Sequence, residues 1–125
     1  MKKIQYMLLI ICALNFIGCK KNQLGGKSNI KGKVMHHDKA IPFAKIYIKY
    51  NATEFPGTNV NDYNTSIEAD FNGNFLIEHI YHGDYYFYAV GADDALVAPS
   101  TVKGGTHLKV KMLKEVTGFV VPVTE

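Results

Sequence analysis

The sequence predicts an all-β protein, an antiparallel sandwich of seven to eight short strands behind a cleaved N-terminal signal peptide. Three observations carry that expectation. From Asn29 onward, apolar and polar residues alternate with a period of two in short runs. Turn-forming Gly, Asn, Asp and Pro residues separate the runs. Outside the leader, no stretch carries a helical period of apolar residues. The 125 residues suit one domain.

The leader comes first. Lys2 and Lys3 are followed by the apolar run Tyr6 to Ile17, which has the length of a signal-peptide core and falls short of the roughly 20 residues that cross a bilayer as a helix. Gly18-Cys19 follows directly, a small residue and a Cys after an apolar run, and this resembles a bacterial lipobox, with Phe16 where Leu is usual. Such a Cys is lipidated and becomes the new N-terminus. Cleavage before Cys19 (125 minus 18) leaves 107 residues in which Cys19 is the sole cysteine, so no internal disulfide is expected. Residues 19–28 are expected to form a flexible tether, and 29–125 the sandwich.

The strands follow in order. Asn29 to Met35 places Ile30, Gly32 and Val34 on one face. His36-His37-Asp38-Lys39 reads as a polar turn. Ala44 to Tyr50 turns Ala44, Ile46, Ile48 and Tyr50 one way, with Lys45, Tyr47 and Lys49 the other. Residues 51–64 form a long irregular stretch with turn chemistry at Pro56-Gly57 and Asn61-Asp62, either a functional loop or a disordered insertion. Thr65 to Ala69 is a short strand. Glu68 to Val90 then reads as a strand end, a turn at Asp70-Asn72-Gly73, a strand with Phe75 and Ile77 on one face, a turn at His82-Gly83-Asp84, and a strand, together a β-hairpin signal. Leu96 to Val102 is a broken edge strand interrupted by Pro99, and Lys103-Gly104-Gly105 is a turn. His107 to Leu113 points Leu108, Val110 and Met112 inward, and Gly118 to Val123 closes the series.

Charge narrows the function. Without Lys2 and Lys3, 12 lysines face 11 acids, a formal +1, and the chain has no Arg. Bidentate phosphate recognition favours Arg, so no nucleic-acid partner is expected.

The order Gly32-Lys33-Val34, Ile41-Pro-Phe-Ala-Lys-Ile46, Ala69-Asp-Phe-Asn-Gly-Asn-Phe75 and Gly83-Asp-Tyr-Tyr-Phe-Tyr-Ala-Val90 resembles the carboxypeptidase regulatory-like domains of the transthyretin-like (prealbumin-like) sandwich class. Their pattern is a Gly-x-Val first strand, a Pro-x-x-Ala second strand, a Thr-Asp-x-x-Gly-x-Phe turn and Gly-x-Tyr-x-x-x-Val. Ala69 replaces the usual Thr, and Ile41 the Gly that often precedes the Pro. The likeness spans about Ile30 to Leu113 and implies a fold more than a function, because each motif is a turn or an inward residue. Such domains are frequent in exported proteins of Bacteroidota. The related hydroxyisourate hydrolases use His and Arg and end in Tyr-Arg-Gly-Ser; this chain has no Arg and ends in Pro-Val-Thr-Glu, so that activity is not expected. An adhesin-type isopeptide needs an Asn or Asp acceptor that the last two strands lack.

The remaining constellations are weak. The five His are spread over three places, His36 and His37 point opposite ways on extended chain, and surface or turn roles suit them better than metal ligation. Asp70-x-Asn72-Gly73 lacks the Glu of a calcium loop. No Ser-His-Asp set or Gly-x-Ser-x-Gly stands out. No enzyme, cofactor or metal is expected. The aromatics are more informative. With Tyr85, Phe87 and Ala89 inward, Tyr86 and Tyr88 face outward with Tyr47 as an exposed ridge, and the long loop, with Phe55 and Tyr63, is the other candidate surface. Such rings stack on sugars or anchor proteins, and they also make ordinary strand surface. The expectation is a lipid-anchored envelope protein, bound to the membrane through lipid on Cys19, that serves an envelope protein partner; a glycan ligand and a plain spacer are the alternatives. Lys20 after Cys19 points to the outer membrane, and the absence of an acidic export signal there to its periplasmic face.

Overall fold

The computed structural model describes residues 20–98 and 100–125. The expected signal peptide, Cys19 and the expected edge position of Pro99 lie outside them. Among the described residues, eight strands form two sheets: β1 (Leu24–His36), β2 (Lys39–Ala40), β3 (Lys45–Tyr50), β4 (Thr65–Glu68), β5 (Asn74–Ile80), β6 (Gly83–Ala92), β7 (Thr101–Val110) and β8 (Val116–Pro122), with a 3-10 turn at Val60–Asp62. In sheet one, β1 is central. It pairs antiparallel with β5 and β2 and parallel with β8. Lys33 meets both Asn74 and Val120, so β5 and β8 occupy opposite edges of β1. Sheet two runs β4-β3-β6-β7, all antiparallel.

The alternation places the core as expected. Ile30 and Val34 of β1, Ala44, Ile46 and Ile48, Phe75 and Ile77, and Tyr85, Phe87 and Ala89 all point between the sheets and are buried. Phe119 of β8 stands edge-on between Phe75 (6.2 Å) and Phe87 (5.0 Å), joining the two sheets through three rings. A Cβ on Gly32 would sit 2.4 Å from the Phe75 ring, so the first-strand glycine makes room for that ring. Tyr85 is fully buried with its hydroxyl satisfied, donating to the carbonyl of Tyr81 at 2.7 Å.

Several expectations are corrected. The sandwich is not wholly antiparallel, because β8 returns alongside β1 in parallel. A bulge at Thr117-Gly118, with Gly118 at φ 69°, adjusts its register. The hairpin expected over Glu68 to Val90 is not one. β4 and β6 belong to sheet two and β5 to sheet one, so the turns at Asp70–Gly73 and His82–Asp84 are crossings between sheets. Alternation states which face is apolar and is silent on which neighbour is paired. The tether is shorter than expected. β1 begins at Leu24, with Gly26 and Ser28 buried on the inner face, and the Asn22 amide donates to the carbonyl of His82 (2.9 Å). Lys103-Gly104-Gly105 is not a turn but the middle of β7. A Cβ on Gly104 would lie 2.5 Å from the carbonyl of Pro122, and one on Gly105 2.2 Å from that of Phe87. The glycines allow close backbone approach where the C-terminal segment crosses β7. There Lys103 and Thr124 exchange backbone hydrogen bonds (2.8 and 3.0 Å), while the Val123 amide donates to Met35, so this segment bonds both sheets. β7 ends at Val110, leaving Met112 exposed rather than inward.

Gly105→Ala is expected to lower stability by about 1–3 kcal/mol, because backbone must shift to admit the methyl group. Urea titration checks this: the midpoint should fall with the slope unchanged.

Candidate functional site

The outer face of sheet two carries the aromatics picked out in the sequence, and the structure brings all five together. β3 and β6 pair Tyr47 with Tyr88. The two rings lie 6.3 Å apart. Residues 51–64 are not a disordered insertion; they fold back over this face. The Asn64 amide donates to Ile48 (2.9 Å), the Tyr50 amide to Asn64 Oδ1 (2.8 Å) and the Ala52 amide to Asp84 (3.3 Å), fastening both ends of the loop to the sheet. Inside it, the Tyr63 hydroxyl donates to the carbonyl of Gly57 at 2.8 Å. Asn51 and Gly57 supply the left-handed backbone that the path needs, at φ 53° and 107°.

The loop's rings cover the strand's rings. Tyr63 stacks on Tyr88 at 5.7 Å and approaches Tyr47 at 5.9 Å. Phe55 lies 5.8 Å from Tyr86 and 5.5 Å from Tyr88. The expected exposed ridge is therefore corrected: Tyr88, outward by parity, is only 4% exposed, and Tyr47, Tyr63 and Tyr86 are half-buried. Phe55 is 51% exposed and caps the cluster. Burial, with smaller contributions from Tyr86, Tyr88 and Asp62, pushes the Tyr63 phenol up to about 12. Lys45 holds its ammonium 5.7 Å from the Tyr47 ring.

A polar pair borders the aromatics. His107 lies opposite Tyr86 on β7, and its Nε2 is 2.9 Å from Asp84 Oδ1, both side chains about one-third exposed. Phe55, Tyr86, His107 and Asp84 thus form a continuous surface of rings followed by hydrogen-bonding groups.

The sequence reading missed a second polar cluster. His36, expected in a polar turn, is instead the last residue of β1. It is buried, with Nδ1 2.8 Å from Asp93 Oδ2. Lys39 Nζ is 2.8 Å from Asp93 Oδ1 and also bonds Asp94, and the Ala95 amide donates to Asp93 at 3.0 Å. Lys39, then His36, hold the Asp93 carboxyl well below the usual carboxylate range. The signal was parity: His36 continues the inward series Ile30, Gly32, Val34, and Asp93 continues Tyr85, Phe87, Ala89, Gly91. With His36 and Asp93 both enclosed, this cluster clamps β1 and β2 to the loop after β6. Among the described residues no group of three or more His, Cys, Asp or Glu is placed to hold a metal.

A shallow groove of about 720 Å³ lies between β1, β4, β5 and β8, with Lys31, Lys33, Glu68, Leu76 and Phe119 in its walls. Its charges are mixed in sign.

No protein-family model matches the chain, and no curated protein is similar to it. Among solved structures, it is similar to a protein from Pseudomonas aeruginosa described as a "putative carbohydrate binding protein", at 16% identity and a TM-score of 0.54 over 81% of this chain and 91% of that one. A DUF3823 family protein from Parabacteroides merdae aligns at 16% identity and a TM-score of 0.49, over 80% of this chain and 47% of that one. The first likeness places the chain among β-sandwiches of this shape.

Tyr88→Ala is expected to cost about 3 kcal/mol, as for a buried aromatic. Phe55→Ala should cost less than about 1 kcal/mol, as for a half-exposed side chain. Thermal unfolding of the two variants checks the contrast. A pH effect follows from Tyr63 and Tyr85, both pushed up to about 12 by burial. Between about 10 and 12 the folded state holds protons that the unfolded state has released. The stabilisation is thus complete below pH about 10 and is lost as pH rises toward 12. Tyrosinate absorbance should rise together with the loss of the folded signal in that window.

Proposed function

We propose that the chain is a non-catalytic binding module of a bacterial cell envelope, held to the membrane by lipid on Cys19 and engaging a partner through the outer face of sheet two. The observation that carries this reading is the ordered loop 51–64, which presents Phe55 half-exposed on a packed base of Tyr86, Tyr88 and Tyr63. A ring held on a rigid base loses little entropy on binding, and aromatic anchors dominate protein contact energies. The first assignment is a protein partner at the outer membrane, on its periplasmic side. The Gly-x-Val, Pro-x-x-Ala and Asp-x-x-Gly-x-Phe motifs support membership of the carboxypeptidase regulatory-like group, and the leader pattern supports the anchor.

A glycan ligand is the second reading, favoured by a particular arrangement. Phe55 and Tyr86 offer apolar ring surface, and His107 and Asp84 offer directional hydrogen bonds beside it. Sugars are recognised by that combination of faces and hydroxyl partners. The Pseudomonas aeruginosa neighbour, described as a carbohydrate binding protein, points the same way. The spacer reading assigns no role to this face.

Photo-crosslinking in intact cells separates the readings. A photoreactive residue replacing Phe55 is expected to capture one abundant envelope protein, while the same residue replacing Val97, 92% exposed at the far end of the sandwich, captures none. Glycan retention lost in Phe55→Ala and Tyr86→Ala, with no protein adduct, would establish the second reading. Equal results at positions 55 and 97, with glycan retention unaffected, would leave a spacer.

A further inference from the structure

The end of the sandwich at which the described chain begins is basic and bears exposed apolar side chains. Lys20 borders a cavity of about 230 Å³, with Lys27, Tyr81, Met112 and Leu113 in its walls. Beyond β7, residues 111–114 turn across this end. The Lys114 amide donates to Lys111 (3.4 Å), and Ser28 Oγ donates to the same carbonyl (3.3 Å), which ties the turn to β1. Met112 is 57% and Leu113 69% exposed at the tip. Leu113 sits at φ 57°, a conformation that Gly or Asn adopts cheaply and a leucine does not. The fold gains little from either side chain.

Basic charge predominates around the tip. Lys20, Lys21, Lys27, Lys109, Lys111 and Lys114 are all exposed here. The acid that follows, Glu115, is within 3.6 Å of Lys31, and Asp84 engages His107. An apolar tip ringed by lysines suits a surface that is anionic outside and hydrocarbon within. The chain preceding the described residues joins at Lys20, on this same end.

We propose that this end rests on the membrane, with Met112 and Leu113 entering the boundary between headgroups and acyl chains of an anionic bilayer and the lysines bound to phosphate headgroups. The proposal rests on the reading that Cys19 carries lipid, and it adds an orientation: the anchor and the tip act as two membrane signals from one end. The clamp of His36 and Asp93 then points away from the bilayer, and the aromatic face of sheet two stands at its side, open to a partner in the plane above the lipid.

The test uses the full-length protein with Leu113→Trp, a chain that otherwise contains no tryptophan, purified from membranes and reconstituted into phosphatidylcholine–phosphatidylglycerol vesicles with brominated acyl chains. The mass of the N-terminal peptide first establishes whether Cys19 is lipidated. Brominated chains are expected to quench the indole at position 113 about two-fold, as for a group at the acyl boundary, and to leave Val97→Trp at the opposite end unquenched. High salt or purely neutral lipid should relieve the quenching, since each lysine near an anionic surface strengthens contact about five-fold. Equal quenching at 113 and 97 with lipid present on Cys19 overturns the proposal and leaves the anchor standing. Absence of lipid on Cys19 overturns both. An indole at 113 shielded by a co-purifying protein, unquenched by the acyl chains, also overturns it and assigns the tip to that protein.

Discussion

The strict alternation of side chains along β6 is the constraint on which the rest depends. One parity gives Tyr85, Phe87 and Ala89 to the core, and the other gives Tyr86 and Tyr88 to the outer face. A strand that is aromatic on both sides needs cover on both sides. Sheet one covers the inner face through Phe75 and Phe119, for which Gly32 leaves room. The loop 51–64 covers the outer face through Tyr63 and Phe55. Shifting the register of β6 by one residue would exchange the two layers and bury Tyr86 and Asp84 against sheet one. The long loop is therefore an element of the fold, and the candidate site is its upper surface.

Much of this was legible from residue order. The inward series on β1, β3, β5 and β6 is a direct reading of period two, because burial on one face selects apolar residues at alternate positions. Strand pairing was not legible in the same way. Asp70–Gly73 and His82–Asp84 have the residues of tight turns, yet both carry the chain from one sheet to the other, and local turn chemistry does not encode that difference. Gly104 and Gly105 read as a turn because glycine permits turns; their use is close contact with Pro122 and Phe87, residues remote in sequence. His36 reads as a turn residue because it is polar, although it continues the inward series of β1, as Asp93 continues that of β6. Small and polar residues in step with a core face were the systematic blind spot, and Gly26 and Ser28 at the start of β1 belong to it as well.

The candidate site was half legible. Parity identified Tyr47, Tyr86 and Tyr88 as one face, and composition identified Phe55 and Tyr63. The packing of the second group onto the first rests on backbone bonds from Asn64 and Ala52 that no pattern announces. The result changes the chemistry on offer. Tyr88 and Tyr63 are structural, and Phe55, Tyr86 and the His107–Asp84 pair are what a partner meets.

The claim that this surface is preformed rests on the loop being as fixed as the sheet beneath it. Amide hydrogen exchange in the free protein measures that most directly. The account predicts that the amides of Tyr50, Ala52 and Asn64 exchange as slowly as those of neighbouring strand residues, because each donates within the packed layer. Exchange of these amides at the rate of an unstructured chain, with the strands still protected, would contradict it: the loop would then be a mobile strap and Tyr88 an exposed ring.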